Sequence, residues 1–174
     1  KPITAILGGS KVSTKITVIE NILPAVDNLI IGGGMSFTFI KALGGKIGNS
    51  LVEDDKLSLA IEILEKAKEH NVKVYLPSDT IVAESFNNEA ERKEVDIYAI
   101  PDGWMGMDAG SKSRDQFNDV LLNSRTILWN GPIGVFEMSN FAAGTIALGD
   151  SIAEATKLGA FSLVGGGDSV AFVK

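Results

Sequence analysis

The sequence predicts an α/β fold: a doubly wound, mostly parallel sheet with helices on both faces, interrupted by a small antiparallel excursion around residues 79–101. Three observations predict it. Short apolar runs, which read as buried strands, alternate with stretches of helical periodicity. Four of those runs, ending near Leu7, Ile31, Trp129 and Val164, pass into a glycine-rich turn. The chain of 174 residues has the size of one domain and can bury a proper core.

The first strand is Ile3-Thr4-Ala5-Ile6-Leu7, followed by the Gly8-Gly9 turn. A helix is expected from about Lys11, with Val12, Ile16, Ile19 and Leu23 at helical spacing and a stop before Pro24. Asn28-Leu29-Ile30-Ile31 is the second strand, and after Gly32-Gly33-Gly34 a short helix over 35–43 closes at Gly44-Gly45. The helix over 53–69 has acidic residues in its first turn, an apolar stripe at Leu57, Ile61 and Leu64, and a Glu62–Lys66 pair. Ser50 and Glu53 have the spacing of a capping box for it, and His70 stands at its C-terminus, where histidine complements the dipole.

Val72-Lys73-Val74-Tyr75-Leu76 is the third strand, stopped by Pro77. Within 79–101 the charged run 89–94 reads as solvated, and Ile97-Tyr98-Ala99-Ile100 as a short strand pairing back. The loop 103–108 has two readings, the wall of an apolar pocket or a plain loop anchored by Trp104. Ser113 and Gln116 suggest a cap for a helix burying Phe117, Val120 and Leu121. The strand Thr126-Ile127-Leu128-Trp129 then meets Asn130-Gly131-Pro132. Ser139 or Asn140 is placed to cap a helix burying Leu148, Ile152 and Ala155, and the strand Ala160-Phe161-Ser162-Leu163-Val164 ends in Gly165-Gly166-Gly167-Asp168-Ser169.

Net charge and cysteine usage exclude several classes. At −6, the chain is a poor broad electrostatic partner for nucleic acid or an anionic membrane. The absence of cysteine excludes disulfides and thiolate metal sites and fits a reducing cytoplasm. No apolar stretch reaches transmembrane length and no signal peptide opens the sequence. Lys1-Pro2 leads directly into a strand, and a helix expected from Asp168 is cut at Lys174, so a piece of a longer protein, truncated at both ends, is expected.

In a parallel sheet the carboxyl ends of the strands lie along one edge, where ligands bind. Glycine at four such ends implies close approach of backbone to a partner, and a phosphate-bearing ligand suits it. At the first turn Lys11 and Lys15, one helical turn apart, read either as part of a phosphate cradle or as two solvated lysines after an ordinary turn. The G-x-x-x-x-G-K-[ST] spacing is absent, and neither glycine triplet continues into G-x-G-x-x-G. There is no G-x-S-x-G elbow and no histidine placed for acid–base work. What remains suits phosphoryl transfer, which depends on positioning and charge neutralisation. Asp168 reads either as a carboxylate for Mg²⁺ or as a simple N-cap, and Glu137 as a ribose acceptor or a surface acid.

Four stretches together resemble phosphoglycerate kinase: Ala5-Ile6-Leu7-Gly8-Gly9-Ser10-Lys11-Val12-Ser13, Ile30-Ile31-Gly32-Gly33-Gly34-Met35, Trp129-Asn130-Gly131-Pro132-Ile133-Gly134-Val135-Phe136-Glu137 and Val164-Gly165-Gly166-Gly167-Asp168-Ser169. The resemblance runs in order through the whole chain and falls on the C-terminal, nucleotide-binding half of that two-domain glycolytic enzyme, a Rossmann-like domain. It implies a cytoplasmic, monomeric transferase moving a phosphoryl group reversibly between 1,3-bisphosphoglycerate and ADP, giving 3-phosphoglycerate and ATP with Mg²⁺. By position it implies Lys15 as the catalytic lysine at the transferring group and Lys11 as support for the nucleotide phosphates. It gives Asp168 to the metal, Gly166, Gly167 and Ser169 to the phosphates, Glu137 to the ribose, and Asn130 to the vicinity of the nucleotide. Gly33, Gly34, Gly106 and Met107 would line the adenine slot. The family's N-terminal domain, which binds phosphoglycerate, is absent from the sequence, so the chain alone is expected to bind Mg-ADP or Mg-ATP with negligible turnover. The alternative is a non-catalytic nucleotide-binding module on the same fold. The retention of both Lys15 and Asp168 speaks against it.

Overall fold

A computed structural model describes residues 1–165. Its centre is a five-stranded sheet of β1 (Ile3–Leu7), β2 (Asn28–Ile31), β4 (Lys73–Tyr75), β9 (Thr126–Asn130) and β10 (Phe161–Gly165), in the order β10-β9-β1-β2-β4. Every pairing in it is parallel, with Ala5 opposite both Leu29 and Leu128. Alternation along the inner strands supplies both faces. Ala5, Leu7, Leu29 and Ile31 pack against Ile19 of α1 (Ile16–Ile22), Met35 and Phe39 of α2 (Met35–Ala42) and Ile63 of α3 (Leu57–Glu69). Ile6, Ile30, Ile127 and Trp129 pack on the other face against Phe117 and Leu121 of α4 (Ser111–Leu122) and Leu148 and Ile152 of α5 (Ala143–Lys157). Two apolar cores on opposite faces are why the inner strands read as unbroken apolar runs.

The predicted α/β class therefore holds, and the antiparallel part is larger than expected. A three-stranded sheet of β5 (Asp79–Ala83), β6 (Arg92–Asp96) and β8 (Met105–Ala109) runs in the order β6-β5-β8. The charged run 89–94 is solvated as expected, and its second half belongs to β6, an edge strand whose polar side chains stay in solvent. Most of the loop expected over 103–108 is β8, and Lys93 of β6 lies 4.3 Å from the centroid of the Trp104 ring. Ala99–Ile100 (β7) does not pair back; it runs parallel to Lys46–Ile47 (β3).

The other corrections concern helix ends. The first helix begins at Ile16 rather than near Lys11, with Lys15 at its N-cap, and Leu23–Ala25 continues as a 3₁₀ turn through Pro24. The third helix begins at Leu57 after a 3₁₀ turn over Asp54–Lys56, and its buried stripe is Ala60, Ile63 and Ala67, offset from the expected one. No capping box forms at Ser50 and Glu53, because Ser50 Oγ accepts from Gly106 N–H at 2.8 Å while Glu53 reaches Ser13. Ser113 lies inside α4 rather than at its start. Asp79, remote in sequence, caps that helix by accepting Lys112 N–H at 3.0 Å, Ser113 N–H at 2.9 Å and the Ser113 hydroxyl at 2.6 Å. Partial burial raises the Asp79 pKa, but hydrogen bonds from Ser113 and from the Lys112 N–H outweigh it and hold the carboxyl below its ordinary value. Neither Ser139 nor Asn140 caps α5; Asp108 accepts the Gly144 N–H at 2.9 Å in the first turn, and Asn140 instead bonds Asn88. At α4 and α5 a distant side chain has displaced the local cap. Glu62 and Lys66 do approach, at 3.8 Å, and exposed His70 closes α3.

Candidate active site

The carboxyl ends of β1, β2 and β9 converge, and their turns are laced together by backbone. Gly8 N–H donates to Asn130 O at 2.8 Å, Gly9 N–H to Pro132 O at 3.2 Å, Gly32 N–H to Leu7 O at 2.9 Å and Met35 N–H to Gly9 O at 3.0 Å. This lacing, rather than a ligand alone, accounts for the glycines. A Cβ on Gly8 would lie 2.0 Å from the Pro132 carbonyl oxygen. Gly33 combines a φ of +73° with a Cβ position 2.6 Å from the Gly9 backbone. The close approach that the sequence implied is thus first of all an approach of one turn to another.

Beside the laced turns lies a cavity of about 660 Å³, within the range of about 300–1,000 Å³ typical of small-molecule sites. Gly33, Gly34, Gly106, Met107 and Glu137 all line it, so the structure brings these five predicted residues together. The loop residues on the antiparallel sheet do form an apolar wall, the first of the two readings of 103–108. Gly106 is small for a packing reason: a Cβ there would fall 2.1 Å from Cζ of Phe37. Exposed Glu137 stands at the mouth.

Other lining residues gave no sequence signal strong enough to single them out. Leu51 and Phe86 line the cavity while remaining 53% and 61% exposed, an apolar rim left open to solvent. A lone phenylalanine in the polar stretch Ser85-Phe86-Asn87-Asn88 is the trace that points to it. Asp108 also lines the cavity, yet it is almost wholly buried. Burial pushes its pKa up to about 7, against the opposing pull of the Gly144 and Ala109 N–H groups and of Arg114.

Lys15 adjoins this cavity through Gly9, which lines it: a Cβ on Gly9 would lie 3.3 Å from Lys15 Cε. Lys15 Nζ donates to Asn130 Oδ1 at 2.5 Å, joining the end of β9 to the start of α1. Lys11 is not drawn to the same place. It is exposed on the loop before α1, so the two lysines do not share a helix face as their spacing suggested. Gly166, Gly167, Asp168 and Ser169, and the helix expected from Asp168, lie outside the described residues. Among the described residues no group of three His, Asp or Glu side chains could hold a metal ion, and no helix is long and apolar enough to cross a membrane.

A family model described as phosphoglycerate kinase matches residues 1–174. The chain belongs to the phosphoglycerate kinase family. The phosphoglycerate kinase of Porphyromonas gingivalis is 60% identical over 173 residues, which are 99% of this chain and 41% of that protein. A wheat relative named as the cytosolic phosphoglycerate kinase is 55% identical and matches all of this chain and 43% of its own length. The solved structure of phosphoglycerate kinase from Coxiella burnetii superposes with a TM-score of 0.94 at 45% identity, covering 98% of this chain and 43% of that one. The chain thus spans about two fifths of the length of the phosphoglycerate kinases it matches.

Proposed function

We propose that this chain is the nucleotide-binding half of a phosphoglycerate kinase, holding Mg-ADP or Mg-ATP across the carboxyl edge of the parallel sheet. The observation that carries the reading is the apolar cavity with Lys15 at its edge, anchored by Asn130. The adenine would lie between Gly33-Gly34 and the Gly106-Met107 wall, with the apolar rim at Leu51 and Phe86 closing over it. Glu137 at the mouth would accept the ribose hydroxyls, and the phosphates would run towards Lys15, with Lys11, Gly166, Gly167 and Ser169 supporting them.

In the ATP-forming direction an oxygen of the ADP β-phosphate attacks the acyl phosphate, the bond from phosphorus to the acyl oxygen breaks, and 3-phosphoglycerate leaves as a carboxylate. In reverse that carboxylate attacks, already ionised at neutral pH, so no general base is required. The task left to the protein is electrostatic. Lys15 suits it because its anchor is a neutral amide oxygen: Asn130 orients the ammonium without cancelling its charge, as an aspartate would. Mg²⁺ would neutralise charge on the nucleotide phosphates. Asp168, outside the described residues, is the carboxylate that would hold it.

The phosphoglycerate half of the reaction belongs to the remainder of the enzyme, so the isolated chain should bind nucleotide with negligible turnover in a coupled assay. Calorimetric titration with Mg-ADP tests the assignment. Glu137→Ala should weaken binding about tenfold, the worth of a charged hydrogen bond. Lys15→Ala should harm transfer in a complete enzyme more than ADP affinity here. Unchanged affinity in Glu137→Ala removes the ribose role, and no binding by the unaltered chain removes the nucleotide reading.

A further inference from the structure

The loop that carries Lys11 and leads to Lys15 has a fastener that the sequence pattern concealed. α1 has seven residues and no side-chain cap of its own, so the loop before it depends on outside partners. Glu53, on the chain leading to the 3₁₀ turn ahead of α3, supplies them. Its Oε1 accepts Ser13 N–H at 3.1 Å and its Oε2 accepts the Ser13 hydroxyl at 2.6 Å. Its own N–H donates at 3.1 Å to Thr38 Oγ1, on the wholly buried Thr38 of α2. Met35, at the start of α2, donates its N–H to Gly9 O. The result is a closed ring: β1 turn, loop 10–14, Glu53, α2, and back to Gly9. The loop is pinned at Gly9 and again at Ser13, with Lys11 between the pins and Lys15 just past the second.

We propose that Glu53 is a positioning residue that holds the lysine-bearing loop 11–15 in its ligand-ready conformation. The inference rests on the nucleotide reading above and adds to it a residue outside the cavity. Partial burial raises the Glu53 pKa, but the Ser13 hydroxyl and N–H, the Val12 N–H and the charge of Lys11 outweigh it and hold the carboxyl below its ordinary value. The carboxylate is therefore charged at neutral pH and a full-strength acceptor for both Ser13 donors. Glutamine keeps the size but turns one of the two acceptor atoms into a donor. That replaces two charge-assisted bonds to Ser13 with weaker neutral ones and loosens this end of the loop, and binding must then supply the ordering that Glu53 provided.

The test uses this chain, with Mg-ADP and adenosine as probes. Adenosine has no phosphates and needs only the base cavity and the ribose acceptor Glu137. Glu53→Gln should weaken ADP binding about tenfold, the cost of ordering about one residue, and leave adenosine affinity unchanged. Ser13→Ala should weaken ADP binding less, and in the Glu53→Gln background should add little, since both substitutions cut the same link. Amide exchange at Val12 and Ser13 should quicken in Glu53→Gln without change in β1 or α3. Equal losses for ADP and adenosine would make Glu53 a general structural residue and overturn the proposal. Unchanged ADP affinity in Glu53→Gln overturns it as well. Failure of the unaltered chain to bind ADP overturns the nucleotide reading first and this role with it.

Discussion

Replacing Asp108 by asparagine should change how the fold depends on pH. This carboxyl is 4% exposed, at the junction of β8, the first turn of α5 and the cavity. Its folded pKa of about 7, against 3.8 for the free group, means that the folded state binds the proton more tightly than the unfolded chain does. Stability contributed by the bound proton is therefore fully present below about pH 4 and is lost as pH rises towards 7, after which the dependence is flat. Integrating between pH 5 and pH 8 gives a loss of about 2–3 kcal/mol from this one group. Asparagine cannot titrate, and its amide nitrogen cannot accept from both N–H groups that Asp108 now receives, from Ala109 at 2.8 Å and Gly144 at 2.9 Å. It should thus cost about 1–3 kcal/mol at pH 5, where the native carboxyl is neutral. Urea unfolding of both proteins at pH 5, 6, 7 and 8 isolates the effect, because the other titrating groups cancel in the difference. The advantage of Asp108 over asparagine should shrink by about 2–3 kcal/mol across that range. A difference that is constant, or that widens with rising pH, refutes the reasoning. It would mean that the α5 N-terminus and its donors keep Asp108 ionised despite burial.

Asp79→Ala should destabilise by about 2 kcal/mol, the upper range for a lost helix cap, because Lys112 N–H, Ser113 N–H and the Ser113 hydroxyl lose an acceptor together. The folded Asp79 pKa is depressed, so its contribution is present above the unfolded value and lost as acid titrates the carboxylate. Chemical unfolding at pH 7 and pH 3 should show the penalty of Asp79→Ala diminishing at the lower pH. Gly8→Ala should cost at least the about 1–3 kcal/mol of an overpacked core, since its Cβ meets backbone rather than a side-chain tip. Calorimetric melting and ADP titration should report both lost stability and lost binding, and a native-like melt with full binding would contradict the lacing of the turns.

Much of this architecture was legible before any coordinates. The strand at Ile3–Leu7 is apolar on both faces because both faces are covered, and that burial shows in the sequence as an unbroken run. Gly33, Gly34, Gly106, Met107 and Glu137, singled out in the sequence, share one cavity. The helix ends were less legible, and for one reason. Ser50, Ser113 and Ser139 each stand at a spacing that suits a local cap, yet the structure satisfies those helix starts, or those side chains, by contacts from far along the chain. Asp79 reaches across 34 positions to Ser113, and Glu53 across 40 to Ser13.

The opening glycines mark the same division. The sequence by itself determined the fold class, the two buried faces and the edge where the glycine turns gather, because apolar period and backbone freedom act locally and leave their imprint residue by residue. Only the tertiary structure decided what the glycines approach, which lysine meets Asn130, and which carboxylates serve as caps and fasteners. Those choices depend on which turns meet once the strands have paired, and a hydrogen bond between residues far apart in the chain leaves no periodicity to read.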